Sequence, residues 1–368
     1  MKLIVFSPYF YPHTGGLENY CLEISNRLAR LGHAVTVVAS KFDNEPAEET
    51  LNSIRVIRLE SKNILRGTFP YPILNRQNHL VLTKLFRDKP DKIVTNTRFF
   101  PLTLIALIYS KKFKVPSIHI EHGTCHPKLV NTGTRLLAKF YDYTLGRLVF
   151  LLADRHLAIS KAAADFSKRL GGKKVKVVYN SVDSNVFLSQ RKTASNFIGI
   201  IFIGRLIEAK GVQDLIRALK KIKNDKLRLT IVGEGNYRNE LADLATDDAR
   251  ITFLGEKSFS EIKTILAEND IFVNPSYSEG LPTSLLEAGA SGLAVIASNT
   301  GGTDEIIDNG KNGFLFEPGK QEELVASMKR LVENSNLRKM FGQEIKKTIE
   351  DKFDWDHNIL ALEKEVNK

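Results

Sequence analysis

Short runs of consecutive apolar residues recur along this chain with stretches of helical pattern or loop between them, and near residue 197 the series begins again. No other feature restricts the fold as much. The first series predicts strands at Lys2 to Ser7, Ala34 to Ala39, Ile54 to Leu59, Lys92 to Thr95, Ser117 to Glu121 and Arg155 to Ile159. An amphipathic helix from Leu17 to Leu31 lies between the first two, closed by Gly32. The second series predicts strands at Phe197 to Gly204, Leu227 to Gly233, Arg250 to Leu254, Ile271 to Asn274 and Ala294 to Ser298. Helical patterns at Val212 to Lys223, Asn236 to Ala245, Phe259 to Glu268 and Ser284 to Ser291 separate them. Strands that are apolar throughout, with helices between, belong to parallel sheets covered on both faces.

The expectation is therefore an α/β protein of two doubly wound domains, residues 1–185 and 196–354, facing each other across a cleft. The polar stretch 184–196 would be the linker. A helix over about 355–368 carries Asn358, Leu360, Leu362 and Val366, with packing back onto the first domain left open.

Two cysteines, Cys21 and Cys125, offer neither a disulfide framework nor a metal cluster, which suits a reducing cytoplasm. The apolar start at Met1 to Val5 runs into Pro8 and Pro12 and reads as a strand rather than a signal peptide. The longest apolar run, Phe99 to Tyr109, is about half of what a bilayer span requires. The net charge of +11 is unevenly placed. Residues 1–185 hold 28 Lys and Arg against 14 Asp and Glu, residues 186–368 hold 25 against 28, and 51–150 alone hold 17 against 5. Such a field suits an anionic partner, or is simply a solvated basic face.

Three segments carry chemistry. Ser278-Glu279-Gly280-Leu281-Pro282-Thr283-Ser284-Leu285-Leu286-Glu287-Ala288 leads from a strand into a helix, with Pro282 suited to the first turn. The amides of Thr283, Ser284 and Leu285 would form an anion site at the helix start, and Glu287 could accept from two vicinal hydroxyls of a ribose. A capped helix with Glu279 beside its dipole is the plainer reading. Gly204-Arg205-Leu206-Ile207-Glu208-Ala209-Lys210-Gly211 pairs a planar cationic fork with a mobile point charge, as a diphosphate requires, unless it is an exposed basic loop. Gly15-Gly16 opens a helix and makes a phosphate-sized nest. Val232-Gly233-Glu234-Gly235 lacks the third glycine of a dinucleotide fingerprint, with Arg238 in its place, and reads as a strand-end turn beside a nucleotide.

In this order the segments resemble glycosyltransferase family 4 over nearly the whole chain, supported by Thr300-Gly301-Gly302-Thr303-Asp304-Glu305-Ile306-Ile307 and Asn312-Gly313. The resemblance implies a GT-B architecture of two Rossmann-like domains and retaining transfer of a hexose-type sugar from a UDP- or GDP-sugar. It implies that Arg205 and Lys210 bind the diphosphate, Glu279 contacts the transferred sugar and Glu287 grips the ribose. Gly16 would approach the phosphate from the first domain, and His122, in Glu121-His122-Gly123-Thr124, would stand beside the reacting sugar. Gly204, Gly233, Gly280, Leu281, Thr283, Ser284 and Leu285 complete the donor-binding set. Where the family often shows Phe-Gly after the first glutamate's glycine, this chain has Leu281-Pro282.

No metal and no cofactor are expected, the nucleotide sugar being a substrate. Asp354-Trp355-Asp356 follows no apolar strand and is read as accidental. The acceptor, a glycan or a lipid-linked molecule, would bind the first domain. There Leu65 to Pro72, Arg76 to Arg87 and Arg135 to Phe150 interleave aromatics with cations, as a face resting on anionic headgroups does and as ordinary solvated helices also do. The protein is thus expected in the cytoplasm or on the inner membrane face. A nucleotide-sugar epimerase or NAD-dependent oxidoreductase stays open as the alternative. No nucleic-acid motif is present, so nucleic acid is not an expected partner.

Overall fold

The structure, a computed structural model, describes residues 1–13, 15–42, 44–64, 69–126, 132–187 and 196–368. Thr14, Leu65 to Thr68 and most of the expected linker (188–195) lie outside the described residues, as does the side chain of Arg135. The chain divides into two compact units, Met1–Asn180 with Asn358–Lys368, and Ser181–His357.

The first unit holds strands β1 (Lys2–Ser7), β2 (Ala34–Lys41), β3 (Glu48–Leu51), β4 (Ile54–Ile64), β5 (Phe69–Pro72), β6 (Lys92–Asn96), β7 (Ser117–Glu121), β8 (Arg155–Ala158) and β9 (Lys176–Val177). Its helices are α1 (Gly16–Arg30), α2 (Arg76–Arg87), α3 (Pro101–Phe113), α4 (Thr132–Tyr141), α5 (Arg147–Leu152) and α6 (Lys161–Arg169), with a π turn at Asp142–Gly146 joining α4 to α5. The sheet runs β3-β4-β2-β1-β6-β7-β8-β9, parallel except for β3, and β5 pairs antiparallel with β4. The chain reverses its direction of growth between β1 and β6, which makes the ends of those strands the switch point where such sheets bind ligands. Ile4, Phe6, Val38, Ile57, Leu85, Phe86 and Leu107 form the core on one side, each burial contributing about 1.5–3 kcal/mol.

The second unit repeats the plan with β10 (Ile198–Ile203), β11 (Leu227–Val232), β12 (Ile251–Gly255), β13 (Ile271–Asn274), β14 (Ala294–Ser298) and β15 (Phe314–Phe316). The order β12-β11-β10-β13-β14-β15, all parallel, puts the switch point between β10 and β13. Helices α7 (Val212–Lys220), α8 (Arg238–Ala245), α9 (Phe259–Ala267), α10 (Thr283–Ala290), α11 (Thr303–Ile306), α12 (Gln321–Glu333) and α13 (Ser335–Lys352) cover it, α13 packing across α10 and β14. Helix α14 (Trp355–Val366) starts in this unit and runs into the first.

Three local expectations need correction. Ser184–Phe187 forms a 3-10 turn where the polar composition suggested a bare linker, because buried Phe187 packs edge-on against Phe259. Pro282 is the N-cap of α10 rather than its first helical residue, its ψ of 113° being extended. On α14 the buried stripe is Trp355, Ile359, Leu362 and Val366, whereas Leu360 faces outward. Asp354 acts locally, accepting from the backbone N–H and hydroxyl of Ser184 and from the N–H of Asp356, and so ties the start of α14 to the 3-10 turn.

Candidate active site

In the second unit the loops that follow β10 and β13 meet at the switch point. A Cβ on Gly211 would fall 2.0 Å from the carbonyl oxygen of Pro275, and its φ of +69° is one that side chains resist, so only glycine lets the two loops touch. The N–H of Tyr277 donates to the Ala209 carbonyl at 2.9 Å and reinforces the contact. Across it the ammonium of Lys210 reaches Glu279 Oε1 at 2.7 Å. Asn274 Nδ2 donates to the same oxygen at 3.3 Å and is itself fixed by Ser276, whose hydroxyl donates to Asn274 Oδ1 at 2.6 Å. From the next loop Gly301 closes on Glu279, where a Cβ would stand 2.0 Å from the Glu279 carbonyl, and Gly302 N donates to the Gly280 carbonyl at 2.9 Å.

Arg205 is exposed and makes no ion pair among the described residues, while Gly204 lies against Gly233 at the ends of β10 and β11. At the start of α10, Thr283 and Ser284 are half-buried and Leu281 and Leu285 are buried. The N–H of Leu285 donates back to the Pro282 carbonyl at 3.1 Å, so the expected trio of available amides does not include it. Glu287, one turn in, is 7% exposed, and no described group donates to its carboxyl. Burial alone pushes that carboxyl up to about 7. A buried carboxylate without donors is costly unless something supplies them.

The other two predicted residues belong to the first unit. Gly16 is the first residue of α1, and the carboxylate of Glu18 sits over Gly15, so an acid already faces that nest. His122 follows β7, half-buried, its ring edge-on to Tyr20 of α1 at 4.7 Å. Its Nε2 lies 3.1 Å from Asn96 Oδ1, and Asn96 Nδ2 donates to the Phe6 carbonyl at 3.2 Å. A carbonyl can only accept, so the amide of Asn96 is held with its oxygen toward the ring, Nε2 carries the proton and Nδ1 keeps its lone pair. Burial lowers the imidazole to about 4, with Glu121 opposing and His119 adding to the shift.

Beneath it lies a charged cluster that the sequence did not announce. Glu121, fully buried, accepts from the N–H groups of His122 and Gly123 and from Arg98. Burial raises its pKa, but Arg98, His119 and Gly123 outweigh this and hold it at about 2. Arg98 also reaches both oxygens of buried Asp142 at 2.9 and 3.0 Å. Asn274, Ser276 and this cluster escaped sequence reasoning because single polar residues at strand ends carry no spacing signal. Among the described residues no group of three or more His, Cys, Asp or Glu could hold a metal ion, and no helix is long and apolar enough to cross a membrane.

Residues 14–186 match the family model Glycosyltransferase Family 4, and residues 187–348 match Glycosyl transferases group 1. An uncharacterized glycosyltransferase of Methanocaldococcus jannaschii is 33% identical over 383 residues, covering 99% of this chain and 97% of that protein. The sucrose-phosphate synthase structure from Thermosynechococcus elongatus superposes with a TM-score of 0.81 at 18% identity over 100% of this chain and 98% of that one. Anabaena HepE in complex with UDP-glucose gives 0.76 at 20% identity, over 100% of this chain and 99% of that one. The fold is therefore the GT-B architecture, and the oxidoreductase or epimerase alternative is not favoured.

Proposed function

The chain belongs to glycosyltransferase family 4 and is a glycosyltransferase, and from that premise we propose that it moves a hexose-type sugar from a UDP- or GDP-sugar to an acceptor hydroxyl, with retention and without a metal. The observation that carries this reading is the contact of Lys210 with Glu279 where the loops after β10 and β13 meet. There a cation and a sugar-binding carboxylate share one spot at the end of the sheet, where doubly wound folds take nucleotides.

In the reaction Lys210 leaves Glu279 for the donor diphosphate and Arg205 joins it, so that two cations stabilise the charge growing on the leaving group. Glu279, released, accepts from hydroxyls of the sugar. Glu287 accepts from the two ribose hydroxyls, which supply the donors its carboxylate lacks. The acceptor oxygen attacks on the face from which the diphosphate departs, its proton passing to a phosphate oxygen, and the sugar keeps its anomeric configuration. His122, in the first unit, stays neutral and keeps Nδ1 as an acceptor. That HepE was solved with UDP-glucose supports a uridine donor. The acceptor is a glycan or lipid-linked hydroxyl of cell-surface synthesis, met by the basic first half at an anionic membrane.

Thermal shift with UDP, GDP and their sugars, with and without EDTA, tests this. A ligand at a hundred times its dissociation constant adds about 2.7 kcal/mol, which at roughly 2–4 °C per kcal/mol is a rise of about 5–10 °C. Stabilisation by NAD and by neither diphosphate would reverse the conclusion.

A further inference from the structure

The continuous helix formed by α4, the π turn and α5 turns a row of large apolar side chains outward. Leu136, Leu137, Phe140, Tyr143 and Leu151 are 64%, 68%, 67%, 55% and 59% exposed, and Leu148 is 36% exposed. Spacings of three lead from Leu137 to Phe140 and Tyr143, and from Leu148 to Leu151, as neighbours on one helix side require. The step from Tyr143 to Leu148 is five, and it spans the π turn of Asp142–Gly146, whose i to i+5 repeat takes up the extra residue. The row therefore stays on one side. The opposite side holds Ala138, Val149 and Phe150 in the core.

Charge on this helix is sorted in the same way. Its sole acid between 132 and 152 is Asp142, which is fully buried and paired with Arg98 and His126. Lys139 and Arg147 are exposed, and α3, which packs against α5, exposes Ile108, Lys111, Lys112 and Lys114. We propose that this row, with Lys139 and Arg147 beside it, lies on an anionic bilayer as an interfacial docking helix.

Three observations favour a bilayer. An exposed apolar helix side suits a soft apolar slab, into which side chains sink while lysine and arginine stems reach back to phosphates. A second copy would bring Lys139 and Arg147 toward a like-charged region, since 51–150 holds 17 basic against 5 acidic residues. Four of the six exposed residues of the row are leucines and the helix exposes no carboxylate to accept from sugar hydroxyls, which favours acyl chains over a soluble glycan. The inference rests on the reading above that the acceptor is reached at a membrane, and it names the surface that does so.

Co-sedimentation of the full chain with phosphatidylcholine vesicles, and with vesicles that also contain phosphatidylglycerol, tests it at low and physiological salt. Binding is expected to the mixed vesicles, weaker at higher salt and poor to phosphatidylcholine alone. Lys139→Gln with Arg147→Gln should weaken it about 25-fold, at roughly fivefold for each charge. Leu137→Ser with Phe140→Ser should weaken it at least about tenfold for each side chain withdrawn. All four positions are on the surface, so both variants should keep the wild-type affinity for UDP or GDP. If the wild-type protein stays in the supernatant with mixed vesicles at low salt, the proposal is overturned. It is equally overturned if the Leu137/Phe140 variant binds as well as wild type, or if ultracentrifugation shows a dimer that this variant dissociates. Vesicle binding without any nucleotide binding would leave the docking helix standing and remove the donor assignment instead.

Discussion

The ammonium of Lys210 lies 2.7 Å from a carboxylate oxygen of Glu279, so the two charges neutralise each other before any substrate arrives. Asn274 donates to that same oxygen and keeps Glu279 in place once the lysine moves. The pair is only partly exposed, and its bond is one that a doubly charged diphosphate can outcompete.

Glu279→Gln should therefore separate binding from turnover. With the competing carboxylate removed, Lys210 is free for the diphosphate, and nucleoside diphosphate affinity should rise several-fold, on the order of 1 kcal/mol for a partly screened pair. Turnover of the sugar donor should fall, because the contact to the sugar is gone. Lys210→Ala should lose most activity, and wild-type activity should survive excess EDTA. Calorimetry on both variants checks the first part. Activity that disappears with chelator and returns with magnesium or manganese would show that the cations do not replace a metal.

Glu287 should make the free protein less stable as pH rises. A carboxyl whose folded pKa is raised, here from 4.5 to about 7, binds more protons folded than unfolded between those values, so stability falls across that window. The loss amounts to about 3 kcal/mol at pH 8. Glu287→Gln should accordingly raise the unfolding midpoint at pH 8 and change it little at pH 4. The same carboxylate must be ionised to accept from both ribose hydroxyls, so nucleotide affinity should weaken as pH drops below about 7. Glu287→Ala should lose two orders of magnitude or more, at roughly 1.5–3 kcal/mol for each charge-assisted bond. Equal midpoints for wild type and Glu287→Gln at pH 8 would mean that the carboxyl is already satisfied.

The parallel strands were legible because a strand buried on both faces is usually an apolar run, as Ile198–Ile203 and Ala294–Ser298 are, although Ser117–Glu121 buries a histidine and a glutamate as well. The same rule hides what it does not govern. Glu48–Leu51 is an edge strand whose side chains alternate between half-buried and exposed, and Phe69–Pro72 holds two prolines that suit it only to an edge. Lys176–Val177 and Phe314–Phe316 are too short to show a period. In the site, Lys210 and Glu279 stand 69 residues apart, and their pairing follows from the neighbouring of β10 and β13. Sequence could suggest the residue types, while the switch point that joins them is a property of strand order. The apolar row from Leu136 to Leu151 was harder still, since a core helix and a docking helix have the same composition and differ only in what covers them.

Asn96 and His122 give the prediction that depends most on a single hydrogen bond. Because Asn96 Nδ2 donates to the Phe6 carbonyl, its oxygen faces the ring and fixes the proton on Nε2. Burial keeps the imidazole near 4, so His122 should be neutral at every pH from about 5 upward and contribute no step to the pH profile there. Asn96→Asp replaces the amide oxygen with a carboxylate at the same distance. An adjacent negative charge favours the imidazolium, and the His122 pKa should rise by one unit or more. The variant should then lose activity as pH falls through this raised pKa, at about 5 or above, as Nδ1 gains a proton and ceases to accept, and recover toward wild type at pH 8. Some stability should also be lost, since the second aspartate oxygen would face the Phe6 carbonyl without a proton between them. NMR titration of the His122 ring in both proteins reads the shift directly. A wild-type ring that titrates above 6, or an Asn96→Asp ring that titrates where the wild type does, would mean that Asn96 does not set the state of the imidazole.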